Sequence, residues 1–187
     1  MSSLPLTIRV ILAITVLMAA IYDCRYRRIP NWLNSSGLIL GFGLNIFFFQ
    51  TQGALSAGEG LCFAMAVYLP LYLLRGMGAG DVKLMAAVGT LVGPANWFVI
   101  FVATALVGGA AGGVFALFKK RFSETCCNTY FLAKDLLQFR LPYRTNPQLD
   151  FRNPSSLRLP HGLLIALGCL LALACSITLR SGTLRFF

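Results

Sequence analysis

Of 187 residues, 57% are hydrophobic and 12% charged, and the mean hydropathy is +0.74, too little polar surface to cover a soluble globule. Sixteen Lys and Arg against six acids give a formal net charge of +10, but these bases stand in short clusters between apolar runs. That pattern fits membrane topology and gives no soluble basic face for nucleic acid, so the chain reads as an integral, all-α membrane protein in a single domain over 1–187.

The first apolar run, Leu4 to Tyr22, is long enough to cross a bilayer at about 1.5 Å per residue against a core of roughly 30 Å. It is followed by Asp23-Cys24-Arg25-Tyr26-Arg27-Arg28 with no Ala-x-Ala-type cleavage pattern, so it reads as a retained span and not a signal peptide. Ile29-Pro30-Asn31 then suits a helix start, because proline resists helix at the residue before it and fits the first turn of a new one. The second span is expected over Trp32 to Phe49, followed by a polar connector from Gln50 to Gly60 and a third span from Leu61 to Leu74 kinked at Pro70.

Val82 to Phe118 is close to twice a bilayer core in length, and Gly93-Pro94-Ala95-Asn96 is a turn signal within it. It divides into a short fourth span and a longer fifth. In the fifth, Gly108, Gly109, Gly112 and Gly113 form two Gly-x-x-x-Gly pairs of the kind that allow close helix contact. The sixth span runs from Leu163 to Leu179. Between the fifth and sixth lies a basic loop at about 119–160, in which Tyr130 to Phe139 has the spacing of an amphipathic helix on the inner leaflet or of an ordinary loop helix.

Charge tests the count of six. With both termini outside the cytoplasm, thirteen bases fall on the inner side and only Arg9, Arg180 and Arg185 on the outer, as the retention of basic residues in the cytoplasm requires. Leaving Val82 to Phe118 as one span would put the basic 119–160 loop outside. The six cysteines, Cys24, Cys62, Cys126, Cys127, Cys169 and Cys175, include no Cys-x-x-Cys spacing, so neither a structural metal nor a cofactor is expected.

The chemistry centres on Gly76-Met77-Gly78-Ala79-Gly80-Asp81-Val82-Lys83, where a carboxylate stands on a glycine-rich turn as a hydrophobic segment begins. Asp81 has two readings there, a helix cap or a functional acid at membrane depth. Asp23 is placed alike at the end of another span, and the topology brings both to the cytoplasmic ends of their helices. Two close carboxylates tend to share one proton, so that one takes a proton from water while the other donates to a carbonyl oxygen. Peptide hydrolysis needs that acid and base pair. Glu59 falls on the opposite side, and Glu124, Asp135 and Asp150 lie among bases in the loop. A serine hydrolase is disfavoured by a single histidine, His161, and by the absence of Gly-x-Ser-x-Gly.

Asp23 followed after five residues by Ile29-Pro30-Asn31, then Gly78-Ala79-Gly80-Asp81-Val82-Lys83-Leu84-Met85-Ala86-Ala87, then Pro160-His161-Gly162, resemble the type IV prepilin peptidases, membrane aspartyl proteases of the Gly-x-Gly-Asp kind. The resemblance implies that Asp23 and Asp81 are the catalytic pair, with Gly78, Gly80, Lys83, Pro30, Asn31 and His161 shaping the site. It implies prepilin or pseudopilin substrates, cut between a basic leader and a hydrophobic helix at the cytoplasmic face of the bacterial inner membrane, with the lipid bilayer as the other partner. Larger members carry paired Cys-x-x-Cys motifs and methylate the new amino terminus. This chain has neither the motifs nor the room, so it resembles the short peptidases of Flp/Tad-type pilus systems and is expected to cleave without methyltransferase activity. Where relatives often have tyrosine, this chain has His161. The alternative is a proton- or ion-coupled transporter using the same two aspartates as a relay.

Overall fold

The computed structural model describes residues 4–73, 77–118 and 161–183. The basic 119–160 loop with its amphipathic segment, the Cys126-Cys127 pair, and Arg75 and Gly76 lie outside the described residues. Among those described, every element is a helix: α1 (Leu6–Tyr26), α2 (Asn31–Leu73), α3 (Ala79–Phe118) and α4 (His161–Thr183). Three of them, α1 to α3, are long and apolar enough to cross a membrane, as in an integral membrane protein.

The buried positions of α1 are Ile8, Leu12, Thr15, Val16, Ala19, Ala20 and Asp23, one stripe at three- and four-residue spacing. Asp23 therefore does not follow the helix, as expected from the sequence, but lies in its last turn at the end of the buried face. The helix stops at Arg27, which is left-handed at φ 52° and whose N–H donates to the Asp23 carbonyl at 2.8 Å. Pro30 then supplies the carbonyl that the Asn34 N–H reaches at 3.5 Å, opening α2 as the Pro30-Asn31 reading foresaw.

The expected Gln50 to Gly60 connector is not a loop. The only non-helical residue in α2 is Gln50 (φ 53°, ψ −130°), which divides it into arms 31–49 and 51–73; Pro70 sits inside the second arm with no such break beside it. One residue suffices because Gly53 lets the second arm come down on the Asn45 carbonyl, where a Cβ would collide. The small residues read as connector composition, Gly53, Ala57 and Gly60, are instead buried helix positions.

Helix α3 breaks at Gly93 (φ 75°), as the Gly93-Pro94 turn signal predicts, into arms 79–92 and 94–118. From Leu84 to Gly93 the first arm is buried at every position, the environment its uniformly apolar sequence calls for. The two arms of α2 clasp it. Gly60 and Gly89 meet backbone to backbone, Gly41 admits Thr90, and a Cβ at Gly37 would stand 3.1 Å from that of Ala87. From the second arm, Trp97 packs parallel to Phe101 and edge-on to Phe63 and Tyr68, and its indole N–H donates to the Met85 carbonyl at 3.0 Å.

The break carries a polar debt in an apolar interior. Pro94 has no N–H, so the carbonyl of Thr90 loses its helical partner, and the turn at Gly93 disturbs the next ones. Asn45, on the first arm of α2, supplies the missing donor: its Nδ2 lies 2.8 Å from the Thr90 oxygen, 3.2 Å from that of Leu91 and 2.9 Å from that of Gly41. Asn96 Nδ2 serves the Val92 carbonyl at 2.9 Å.

Helix α4 packs on α1 and α3, with Gly168 against Thr104 of the second arm at a distance that excludes a Cβ. Among the described residues, the close contact that the Gly-x-x-x-Gly pairs would allow is not made: nothing lies within 4 Å of a Cβ built on Gly109, Gly112 or Gly113, and Gly108 meets only Leu164 at 3.6 Å. The motif permits close approach without requiring it.

Replacing Asn45 by Leu keeps the volume and removes the donor. It should lower stability by roughly 1–3 kcal/mol, the cost of leaving a buried carbonyl unmet, read as a fall in the thermal midpoint of the purified protein in detergent.

Candidate active site

Asp23 and Asp81 come from different helices, α1 and α3, and are 8% and 7% exposed. Each is met by the amino-terminal end of a helix. The first N–H groups of a helix have no intrahelical partner and carry the positive end of its dipole, so a carboxylate is well placed there. For Asp23 that helix is α4, whose Gly162 N–H donates to Oδ2 at 2.7 Å. Glycine is what lets the two elements approach this closely, since a Cβ at position 162 would stand 3.0 Å from the Asp23 Cβ and Oδ2.

Asp81 is the third residue of its own helix. The Gly78 carbonyl accepts the Asp81 and Val82 N–H groups at 3.2 and 3.4 Å, and the Gly78 N–H bonds back to the Asp81 carboxyl. The bond that the Asp81 carboxyl accepts is the acid half of a capping box, the other half being a backbone turn because Gly78 has no side chain. The capping reading of Asp81 is thus correct as local structure, and it does not compete with the functional one. The charge of Asp23 acts on Asp81, and that of Asp81 on the buried Tyr68.

The flanking residues named from the sequence take definite positions. Gly80 packs against Ile29, where a Cβ would lie 3.3 Å from the Ile29 Cβ. Lys83 is exposed and donates to Asn31 Oδ1 at 2.9 Å, joining the first turns of α2 and α3. Pro30 precedes Asn31 and aims α2. His161 is the first residue of α4, half-buried and within reach of the Asp23 charge, but the hydrogen bond to that carboxylate comes from the amide after it. Glu59 is exposed beside Gly60, at the end of the second α2 arm nearer Gln50. Among the described residues no three His, Cys, Asp or Glu side chains group as a metal site would require.

Asn34 was not legible beforehand. It is 1% exposed, its Nδ2 donates to the Gly80 carbonyl at 3.2 Å, and its Oδ1 has no partner among the described residues. It therefore ties α2 to the peptide group immediately before Asp81. The only sequence signal was a polar residue one turn into an apolar span, and the partner it serves is 46 positions away.

In comparisons with known proteins, the model of the type IV leader peptidase family matches residues 10–113, which contain both aspartates and the Gly78 to Lys83 turn. Searches of curated proteins and of solved structures returned no match.

Two glycines should respond oppositely to alanine. Gly162→Ala presses on Asp23 and should cost about 1 kcal/mol or more, whereas Gly109→Ala enters open space in a helix interior and should be neutral or stabilising by roughly 0.5–1 kcal/mol. Thermal unfolding of the two variants side by side checks this.

Proposed function

This chain belongs to the type IV leader peptidase family, and we propose that it is an aspartic endopeptidase in which Asp23 and Asp81 act together to remove the basic leader of a prepilin or pseudopilin. The observation that carries the reading is the pair itself: two buried carboxylates from separate helices, each oriented by a backbone amide, with the charge of Asp23 acting on Asp81. One of the pair, ionised, takes a proton from water as the oxygen attacks the scissile carbonyl carbon. The other, protonated, gives its proton to the carbonyl oxygen. Collapse of the tetrahedral intermediate breaks the C–N bond: the departing nitrogen takes the proton that the first aspartate gained from water, and the hydroxyl that becomes the carbonyl returns its proton to the second. Which Asp starts as acid belongs to the pair as a unit.

The same reading sets the chain as six crossings, with breaks at Gln50 and Gly93 turning α2 and α3 back on themselves and both termini outside the cytoplasm. The end of α1 and the starts of α3 and α4 then share the cytoplasmic face, where a single-span substrate presents the junction between leader and stem. Asn31, Lys83, Pro30, Gly78, Gly80 and His161 shape that mouth. Activity is confined to proteolysis, without methyl transfer. No observation in the fold favours a relay for transport.

In membranes containing a prepilin encoded near this protein, Asp23→Asn and Asp81→Asn should each reduce cleavage by at least about 10³-fold at unchanged expression, as loss of a member of a catalytic unit does. Cleavage surviving either change would remove the proposed mechanism. Orientation has a separate check through Cys24, which is exposed beside Asp23. In a chain whose other cysteines are replaced, Cys24 should react with an impermeant maleimide in inside-out vesicles and not in intact cells.

A further inference from the structure

Tyr68 is a buried phenol whose hydroxyl is unused among the described residues. It lies on the second arm of α2, 2% exposed, with its ring set edge-on to Trp97 at 5.9 Å and to Phe101 at 6.0 Å. Buried tyrosines usually find a partner for the hydroxyl, but this one has none among the described residues.

Helix register places the residue itself. The second arm of α2 runs antiparallel to the first arm of α3, and the two touch at Gly60 and Gly89, with Ala64 next to Gly89 at 3.3 Å from a built Cβ. Tyr68 is eight residues beyond Gly60, and Asp81 is eight residues before Gly89. At about 1.5 Å per residue both positions lie roughly 12 Å from the glycine contact, in the same direction. They share a level in the bundle. The Asp81 charge acts on the Tyr68 hydroxyl, and no hydrogen bond joins the two. The ring cannot easily turn away, because Trp97 is itself held by its bond to the Met85 carbonyl.

We propose that Tyr68 is a third catalytic residue of the Asp23 and Asp81 site, donating its phenolic hydrogen to the oxygen of the scissile carbonyl as negative charge develops there. The inference rests on the peptidase reading of the two aspartates. A donor fixed in advance by packing needs no rearrangement when the charge appears, and such donors act on turnover more than on substrate binding. The hydroxyl keeps its proton, so the exchange between the aspartates, water and the departing nitrogen is unchanged.

The test is Tyr68→Phe, which preserves the ring and its contacts with Trp97 and Phe101 and removes only the hydroxyl. The full-length protein, reconstituted with prepilin, is compared with wild type and with Asp81→Asn. The expected result is a kcat lower by about 10- to 100-fold with KM within about twofold and an unchanged thermal midpoint. In parallel, 3-fluorotyrosine placed at position 68 should show a shifted ¹⁹F resonance when Asp81 is replaced by Asn. An unchanged kcat in Tyr68→Phe, a loss confined to KM, or a ¹⁹F resonance indifferent to Asp81 overturns the assignment. An inactive Asp81→Asn beside a fully active Tyr68→Phe rejects Tyr68 alone and leaves the aspartate pair standing. An active Asp81→Asn rejects the pair and the role of Tyr68 with it.

Discussion

A peptide group inside a bilayer has no water to bond, and the break in α3 creates several at once. The carbonyl that Pro94 deprives of a partner belongs to Thr90, in the first arm of α3, which is buried at every position from Leu84 to Gly93. Asn45 meets it from across the α2–α3 interface. That single amide fixes the first arm of α2 against the first arm of α3, and the glycine contacts at positions 41, 60 and 89 bring the backbones near enough for it to reach. Since the same arm of α3 begins with the Gly78 to Asp81 turn, the register set by Asn45 at one end decides where Asp81 stands at the other.

The site depends on helix ends in a different way. A buried carboxylate without a partner costs several kcal/mol, and a charge-assisted hydrogen bond contributes roughly 1.5–3 kcal/mol. Asp23 receives one such bond from Gly162, and Asp81 one from Gly78. Neither donor is a lysine or arginine. Lys83, the nearest base in sequence, is engaged with Asn31. The acids are thus oriented by amides that cannot transfer a proton themselves, and the packing of the bundle must supply the rest of the stability. Such an arrangement suits a pair whose protons are to be exchanged with a substrate and not with a neighbouring side chain.

Much of this was readable from residue order. The Gly93-Pro94 break, the start of α2 at Pro30-Asn31 and the two aspartates follow from local chemistry: proline's missing donor, its fixed dihedral, and acids where apolar spans begin or end. The misread connector and the open glycine motif share one cause. Gly53 to Gly60 looks like a loop and Gly108 to Gly113 looks like a contact face, yet the first is a packed helix and the second open among the described residues. Small residues permit both outcomes, and only the partner across the interface decides. Asn34, Asn45 and the Gly162 amide were illegible for the same reason, because each bonds a group on another helix, the Gly162 amide bonding Asp23 139 positions away. The 119–160 loop lies outside what the structure describes.

The central claim is that α1 and α3 bring Asp23 and Asp81 together as one unit before any substrate arrives. Cross-linking tests it most directly: in a cysteine-free chain, Asp23→Cys and Asp81→Cys are combined and treated in native membranes with a short bifunctional methanethiosulfonate. The account predicts rapid intramolecular cross-linking, visible as a shift in gel mobility that reductant reverses and that neither single variant shows. A folded double variant in which both thiols react with a monofunctional reagent and yet never cross-link would contradict it.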